Sequence, residues 1–218
     1  MRRLTLVSFA FLACVAATTT LAQGPGERKF HVGVDLGQAR LDTGPVFDQP
    51  VVGDDESTTW SVKFGYRVNR NFSLEAGYLD LGEYDIALST VCPAIYPPGG
   101  CPAIHSRTSI KGVSVSAVGT WPVSAHFQLT ANLGAVYREA DFNYAGTTVG
   151  GGPYEAKDTV ARFGIGVLVP LNERFELTLD ATQYHDLGVG LSRSDAGAIH
   201  TVSEGDASAV SLGVRWRF

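Results

Sequence analysis

Histidines with a hydroxyl and a carboxylate close by are the first residues in this sequence that could do chemistry. "HTVSEGD" at 200–206 brings His200, Ser203 and Glu204 together, and "YHD" at 184–186 adds His185 and Asp186. A serine, a histidine base and an acid at a bilayer edge are what a lipid hydrolase or acyltransferase requires. No G-x-S-x-G turn accompanies them to present a strained nucleophile. The remaining histidines, His31, His105 and His126, have no such companions. A loop rich in small polar residues is the favoured account of 200–206, so no catalytic residue and no cofactor is assigned. A metal site from Cys92, Cys101 and His105 competes with oxidation of the two thiols, which exported proteins favour.

Export is written at the start of the chain. Arg2 and Arg3 precede a short apolar run, Leu4 to Ala13, and Thr20-Leu21-Ala22 is a small-x-small cleavage site. This is the pattern of a secretory signal peptide over residues 1–22, too short for a spanning helix. A lipoprotein leader with Cys14 lipidated is the rival, and "FLAC" fits that pattern poorly. Cleavage leaves 15 basic against 22 acidic residues and moves the formal charge from -5 to -7. An acidic chain argues against a nucleic-acid partner. Cys14 departs with the leader, leaving Cys92 and Cys101 as an even pair that is expected to form a disulfide. That bond would staple the Pro/Gly-rich loop "VCPAIYPPGGCPAIH", a candidate contact surface for a host cell, phage or neighbouring protein.

The elements that must position all of this are strands. Strict alternation recurs in "FHVGVDLG", "WSVKFGYRV", "FSLEAGY", "VSVSAVGTW", "FQLTANLGAVYR", "ARFGIGVLV", "FELTLDAT" and the closing "SAVSLGVRWRF". These segments approach the ~9–11 residues that cross a bilayer at a tilt. The gaps alternate. Residues 38–57, 81–108, 140–158 and 185–206 are long, whereas 69–71, 122–126 and 170–174 are short. Short turns at one end and long loops at the other are the rhythm of an up-and-down barrel with both termini at the periplasmic end. A soluble sandwich shares the alternation but has no reason to sort its loops.

One parity of every strand is free of charge, and aromatic residues gather at its ends: Trp60, Tyr66, Tyr78, Trp121, Tyr137 and Trp216. That suits a lipid-facing surface with interfacial girdles. The other parity carries His31, Asp35, Lys63, Arg67, Glu75, Arg138, Arg162, Glu176, Asp180, Arg215 and Arg217 among Gly and Ser. Six cationic and four acidic side chains in a narrow lumen are expected to satisfy one another, because unpaired buried charge is costly. An eight-strand lumen is just wide enough for side chains to fill, so plugging is favoured over a conducting pore. Val214, Trp216 and Phe218 end the chain on an aromatic, resembling the assembly signal of outer-membrane barrels.

"LEAGYLDLG" at 74–82 and "GVSVSAVGTWPVSAHFQLTANLGAVYREADF" at 112–142 resemble the transmembrane domain of the OmpA-like outer-membrane proteins. The resemblance covers about Phe30 to Phe218. It implies an all-β, eight-stranded antiparallel transmembrane barrel over residues 23–218 in a Gram-negative outer membrane. Its partners would be outer-membrane lipid, the barrel-assembly machinery and periplasmic chaperones. Many relatives add a periplasmic peptidoglycan-binding domain; this chain stops at Phe218, so wall anchoring does not carry over. Well-known members also hold a charged cluster that gates the lumen. Glu75 matches its carboxylate, while the partner positions fall on Val118, Leu168 and Thr178, which are uncharged. A different network, from Glu75, Glu176, Asp180 and the interior arginines, is the expectation. The function expected is structural and surface-contact, not enzymatic. A small diffusion channel is the alternative, and an outer-leaflet lipid enzyme using His200 or His185 is a more distant one.

Overall fold

The computed structural model describes residues 29–42, 52–88, 104–124, 126–145, 154–185, 187, 192–193, 199–200 and 205–218. The strands among them are β1 (Phe30–Asp42), β2 (Val52–Asp54), β3 (Glu56–Asn69), β4 (Phe72–Leu88), β5 (Ile104–Ser124) and β6 (Phe127–Ala145). They continue with β7 (Tyr154–Pro170), β8 (Phe175–His185), β9 (Ser192–Arg193), β10 (Ile199–His200) and β11 (Asp206–Arg217). Each wall strand pairs antiparallel with the next wall strand in the chain, and β11 returns to pair with β1. The result is a closed barrel of eight strands: β1, β3, β4, β5, β6, β7, β8 and β11. β2 pairs with the far end of β4, and β9 with β10 makes a small separate hairpin.

Closure is continuous. β1 and β11 pair from His31 opposite Arg217 to Asp42 opposite Asp206. At the seam's end Phe218 N donates to Phe30 O at 2.9 Å and Phe30 N to Phe218 O at 3.3 Å. The short turns are built from residues that hydrogen-bond their own backbone. Asn69 Oδ1 accepts from Asn71 N at 2.8 Å, and Asn172 Oδ1 accepts from Arg174 N and Phe175 N at 2.8 and 2.9 Å. Ser124 Oγ accepts from His126 N at 3.3 Å.

The strands run further than their alternation of apolar and polar residues predicts. β5 has 21 residues and β6 has 19, against the ~9–11 that suffice to cross a bilayer. β8 and β11 stop at 11 and 12, so the wall is tall on one side and low on the other. The cause is a change of chemistry along each strand, not an end of pairing. Near the short turns the outward face is apolar, as with Val34, Val115, Leu133, Ile165 and Val210, all exposed. Toward the long loops it becomes polar: Arg40, Lys111, Glu139, Lys157 and His185. The inward face changes the opposite way, from charge to Ala39, Leu41, Ile110, Val136, Val160 and Ala207. A chain in hydrocarbon turns its grease outward, and a chain in water turns it inward. The line where both faces invert therefore marks where the barrel leaves the bilayer.

Above that line the surface behaves like that of a soluble protein. Lys157 sits between Glu155 and Glu139, at 3.5 Å from the latter, and Arg107 reaches Asp85 at 3.1 Å. The hydrogen bond from Lys157 holds the Glu155 carboxylate below its ordinary range. In β4 a bulge between Asp80 and Gly82 shifts the register and turns Tyr84 inward. Gly82 has φ +88°, and a Cβ there would meet Thr58 O at 2.6 Å, so the bend requires glycine.

The inversion line has a measurable consequence. Leu133→Arg, on the lipid-facing band, is expected to destabilise the folded barrel in vesicles by roughly 2–4 kcal/mol. Thr159→Arg, outward-facing above the line, is expected to stay within about 0.5 kcal/mol of the parent. Urea unfolding in phospholipid vesicles checks both, and equal costs would remove the assigned boundary.

Candidate functional site in the barrel lumen

The lower lumen is a charged floor built by inward residues of β1, β3, β4, β8 and β11. Asp35 on β1 is the best satisfied. It accepts from Ser61 Oγ at 2.9 Å and Thr178 Oγ1 at 3.2 Å, with Lys63 Nζ at 2.9 Å. Lys63 also faces Asp180 at 3.8 Å. Glu75 on β4 takes Arg215 at 2.8 Å and His31 at 3.0 Å. An ionised carboxylate only accepts, so His31 Nε2 is the donor. Glu176 on β8 is fully buried (0% exposed) and gathers three arginines: Arg217 at 3.1 Å, Arg67 at 3.6 Å and Arg215 at 3.9 Å. Its oxygens lack hydrogen-bond geometry, so proximity of charge holds this group together.

A small residue on the neighbouring strand makes room for one of these pairs. A Cβ on Gly65 would lie on the His31 ring, with Cδ2 at 2.9 Å, so only glycine on β3 lets that imidazole lie there. Val118 and Leu168 are buried and apolar, and Thr178 serves Asp35.

Two further inward arginines stand apart. Arg138 on β6 is buried beside Val136 and Ala140, within the apolar end. Arg162 on β7 lies over the Tyr184 ring at 5.8 Å.

The upper lumen is a cap of apolar side chains. Leu41, Leu79, Leu81, Tyr84, Ile110, Val136, Val160, Tyr184 and Leu187 form one buried cluster. Tyr84, fully buried, keeps its hydroxyl satisfied by donating to Leu81 O at 2.9 Å. Sequence patterning anticipates a polar interior throughout, and this cap departs from it, because above the bilayer the inward face is a soluble core. The cap is the feature the sequence pattern did not announce, and the pairing of His31 with Glu75 is the other. His31 was visible on the charged parity of its strand.

Outside the lumen, the Trp216 and Phe218 rings meet at a tilt with centroids 4.9 Å apart and Phe218 stacks on Phe30 at 6.1 Å, closing the seam with an aromatic cluster that Tyr66 joins at 5.2 Å from Phe30. Val214, Trp216 and Phe218 all face outward. Among the candidate catalytic residues, His185 Nδ1 pairs with Asp206 at 2.9 Å on the exposed outer surface. Asp186, Ser203, Glu204, Cys92 and Cys101 lie outside the described residues, as does the leader, and so do the side chains of His105 and His200.

A closed antiparallel wall with lipid-facing grease, a charged floor and aromatic girdles defines a transmembrane β-barrel of the small outer-membrane class. The sequence matches the family described as the outer membrane protein beta-barrel domain over residues 7–218, and the chain belongs to that family. Solved structures of other outer-membrane proteins share the fold, two of them as follows. Ail, the attachment invasion locus protein of Yersinia pestis, is 14% identical, with 88% of this chain and 99% of that one covered at a TM-score of 0.51. Neisserial surface protein A is 15% identical, with 87% and 97% covered at 0.54. None of the curated proteins matches this sequence.

The Glu75–Arg215 pair carries a stability prediction. Glu75→Gln leaves Arg215 buried without its nearest carboxylate and is expected to cost about 3–5 kcal/mol. Replacing both by Met is expected to recover much of that loss. Denaturant titrations of the single and double variants measure the coupling, and additive losses would show that the pair is not an energetic unit.

Proposed function

We propose that this outer-membrane barrel is a non-enzymatic structural and surface-contact protein whose lumen does not conduct. The observation that carries this reading is the stacking of two closures in one narrow tube. Below, five strands cross-link through Asp35, Lys63, Glu75, Glu176 and Arg215. Above, the apolar cluster from Leu41 to Leu187 packs buried side chains inside the tube, which disfavours passage of a hydrated solute. A diffusion channel would have to break both.

Contact with the exterior falls to the tall wall of β4 to β7 and the loops it carries. Its charges are paired along the wall, which makes it a rigid platform for those loops. The loop containing Cys92 and Cys101 is the contact element in this reading, held by a disulfide between them. Phe30 and Phe218 meet at the short-turn end of the seam, and in this reading that end faces the periplasm, with cleavage near Ala22.

Purified protein in planar lipid bilayers is expected to give no stable conductance steps. Persistent single-channel openings in the wild type would overturn the closed-lumen reading in favour of the diffusion channel. The closing aromatic cluster is read as the feature that the barrel-assembly machinery and chaperones meet. Phe218→Ala is accordingly expected to slow the appearance of the heat-modifiable form on gels by several-fold, with the final folded barrel still closed by β1 and β11. Unchanged assembly kinetics would remove Phe218 from that role.

A further inference from the structure

The rim at the short-turn end of the barrel is charged on one side only. Where β3, β1, β11 and β8 reach that end, the strands and their turns carry Lys29, Arg67, Arg70, Arg174 and Arg217. Backbone contacts hold these positions in one arc. Arg67 N donates to Lys29 O at 2.7 Å, Arg217 N donates to Arg174 O at 2.7 Å, and Phe30 and Phe218 bond each other between them. Arg67 and Arg217 reach the buried Glu176, whereas Lys29, Arg70 and Arg174 are exposed. Glu173 and the α-carboxylate of Phe218 offset part of this charge and leave the arc cationic. Across the barrel the rim is bare: from Val113 to Tyr137 and from Phe163 to Leu171 the chain has no Asp, Glu, Lys or Arg. A chain with a formal charge of -5 thus gathers cations at one place on its lower rim.

The cations are interleaved with rings. Lys29 precedes Phe30, Tyr66 precedes Arg67, Arg174 precedes Phe175, and Arg217 lies between Trp216 and Phe218. Those five aromatic residues are all exposed. Their face continues along the same strands into Val34, Val62 and Val214 of the lipid-facing band. The surface is therefore already turned to a bilayer, and the headgroup layer of one leaflet is what meets its lower edge. Aromatic rings sit at that level, and long cationic side chains reach from it into the headgroups. A basic group there attracts lipid of net negative charge. A zwitterionic headgroup brings its own cation and neutralises nothing.

We propose that the arc of β3, β1, β11 and β8 selects anionic phospholipid from its leaflet. The headgroup phosphodiester lies against Lys29, Arg70 and Arg174, and the acyl chains run along the aromatic face above. The uncharged rim opposite takes ordinary lipid. Naming the leaflet rests on the reading that the short turns face the periplasm, which makes it the inner leaflet of the outer membrane. The selection itself follows from the arc at whichever surface it lies.

Two of the tryptophans report on the two sides of the rim. Trp216 lies in the arc and Trp121 on the uncharged side, both exposed. The barrel is reconstituted into vesicles of mixed phosphatidylcholine and phosphatidylglycerol, with brominated chains on one lipid or the other. Trp60→Phe/Trp121→Phe isolates Trp216, and Trp60→Phe/Trp216→Phe isolates Trp121. Brominated phosphatidylglycerol is expected to quench Trp216 roughly twofold more than brominated phosphatidylcholine at the same mole fraction. Trp121 is expected to be quenched equally by both. Lys29→Gln/Arg70→Gln/Arg174→Gln, added to the Trp216 variant, is expected to remove the difference. Equal quenching of Trp216 by the two lipids, the same preference at Trp121, or a preference that survives the triple substitution overturns the proposal. If the triple variant does not fold, the contrast between Trp216 and Trp121 decides alone. Both leaflets of these vesicles have one composition, so the result does not depend on which end faces the periplasm. That orientation is read separately, from Val123→Cys in a Cys92→Ser/Cys101→Ser background on intact cells. A maleimide polymer too large to cross the outer membrane is expected to leave it unlabelled, and labelling would move the selected lipid to the outer leaflet.

Discussion

Every backbone N–H and C=O that enters hydrocarbon must find a partner within the protein, and for strands this is possible only if the sheet has no edge. The pairing of β1 with β11 is therefore the contact on which the rest depends. It fixes the circumference of the tube, and the circumference fixes what fits inside. Eight strands leave room for side chains but little else. Long cations on one wall consequently end against carboxylates on another, and glycines such as Gly65 appear wherever a ring or chain must cross. The terminal Phe218 belongs to the same constraint. Its backbone completes the seam while its ring joins Phe30 and Trp216 outside.

The lumen divides because the surroundings do. Within the bilayer the outward face consumes the apolar residues, so the inward face carries what remains, and charges placed there are tolerable only as mutual partners. Once the wall rises into water the requirement reverses, and the same inward parity becomes a hydrophobic core. Tyr84 illustrates the transition. The bulge at Gly82 re-aims β4 so that a large aromatic closes the tube, with its hydroxyl bonded to Leu81 O. A polar floor under a greasy lid follows from one wall crossing one interface.

The strands' existence, order and faces were legible because period-2 alternation and loop sorting are local and repeated. Their upper ends were not. Where Lys111 replaces an apolar outward residue and Ile110 a polar inward one, the alternation inverts, and an inverted pattern resembles a strand that has stopped. The membership of the charged floor could be read from parity, but its pairings could not. Register decides that Arg215 meets Glu75 and not Asp180, and register depends on barrel shear, which no single strand encodes. His31 was legible as an inward residue, yet its partner comes from β4, across β3. Some members of the cap, Leu41, Leu81, Tyr84 and Leu187, fall in segments that resembled loops, whereas Val136 sits in a recognised strand on the face that read as polar.

The asymmetry of the wall bears on function more than any single residue. If the barrel served only to fill a membrane or to conduct, strands of the length of β8 and β11 would suffice all round. Instead β4 to β7 continue as paired sheet well past the inversion line, and that extension requires a core of its own, which the apolar cap supplies. Residues spent on closing the lumen are thus the same residues that hold the projecting wall upright. A structure in which the display platform and the plug share one core cannot open its lumen without loosening its outer face. That coupling favours contact at the surface over passage through the middle.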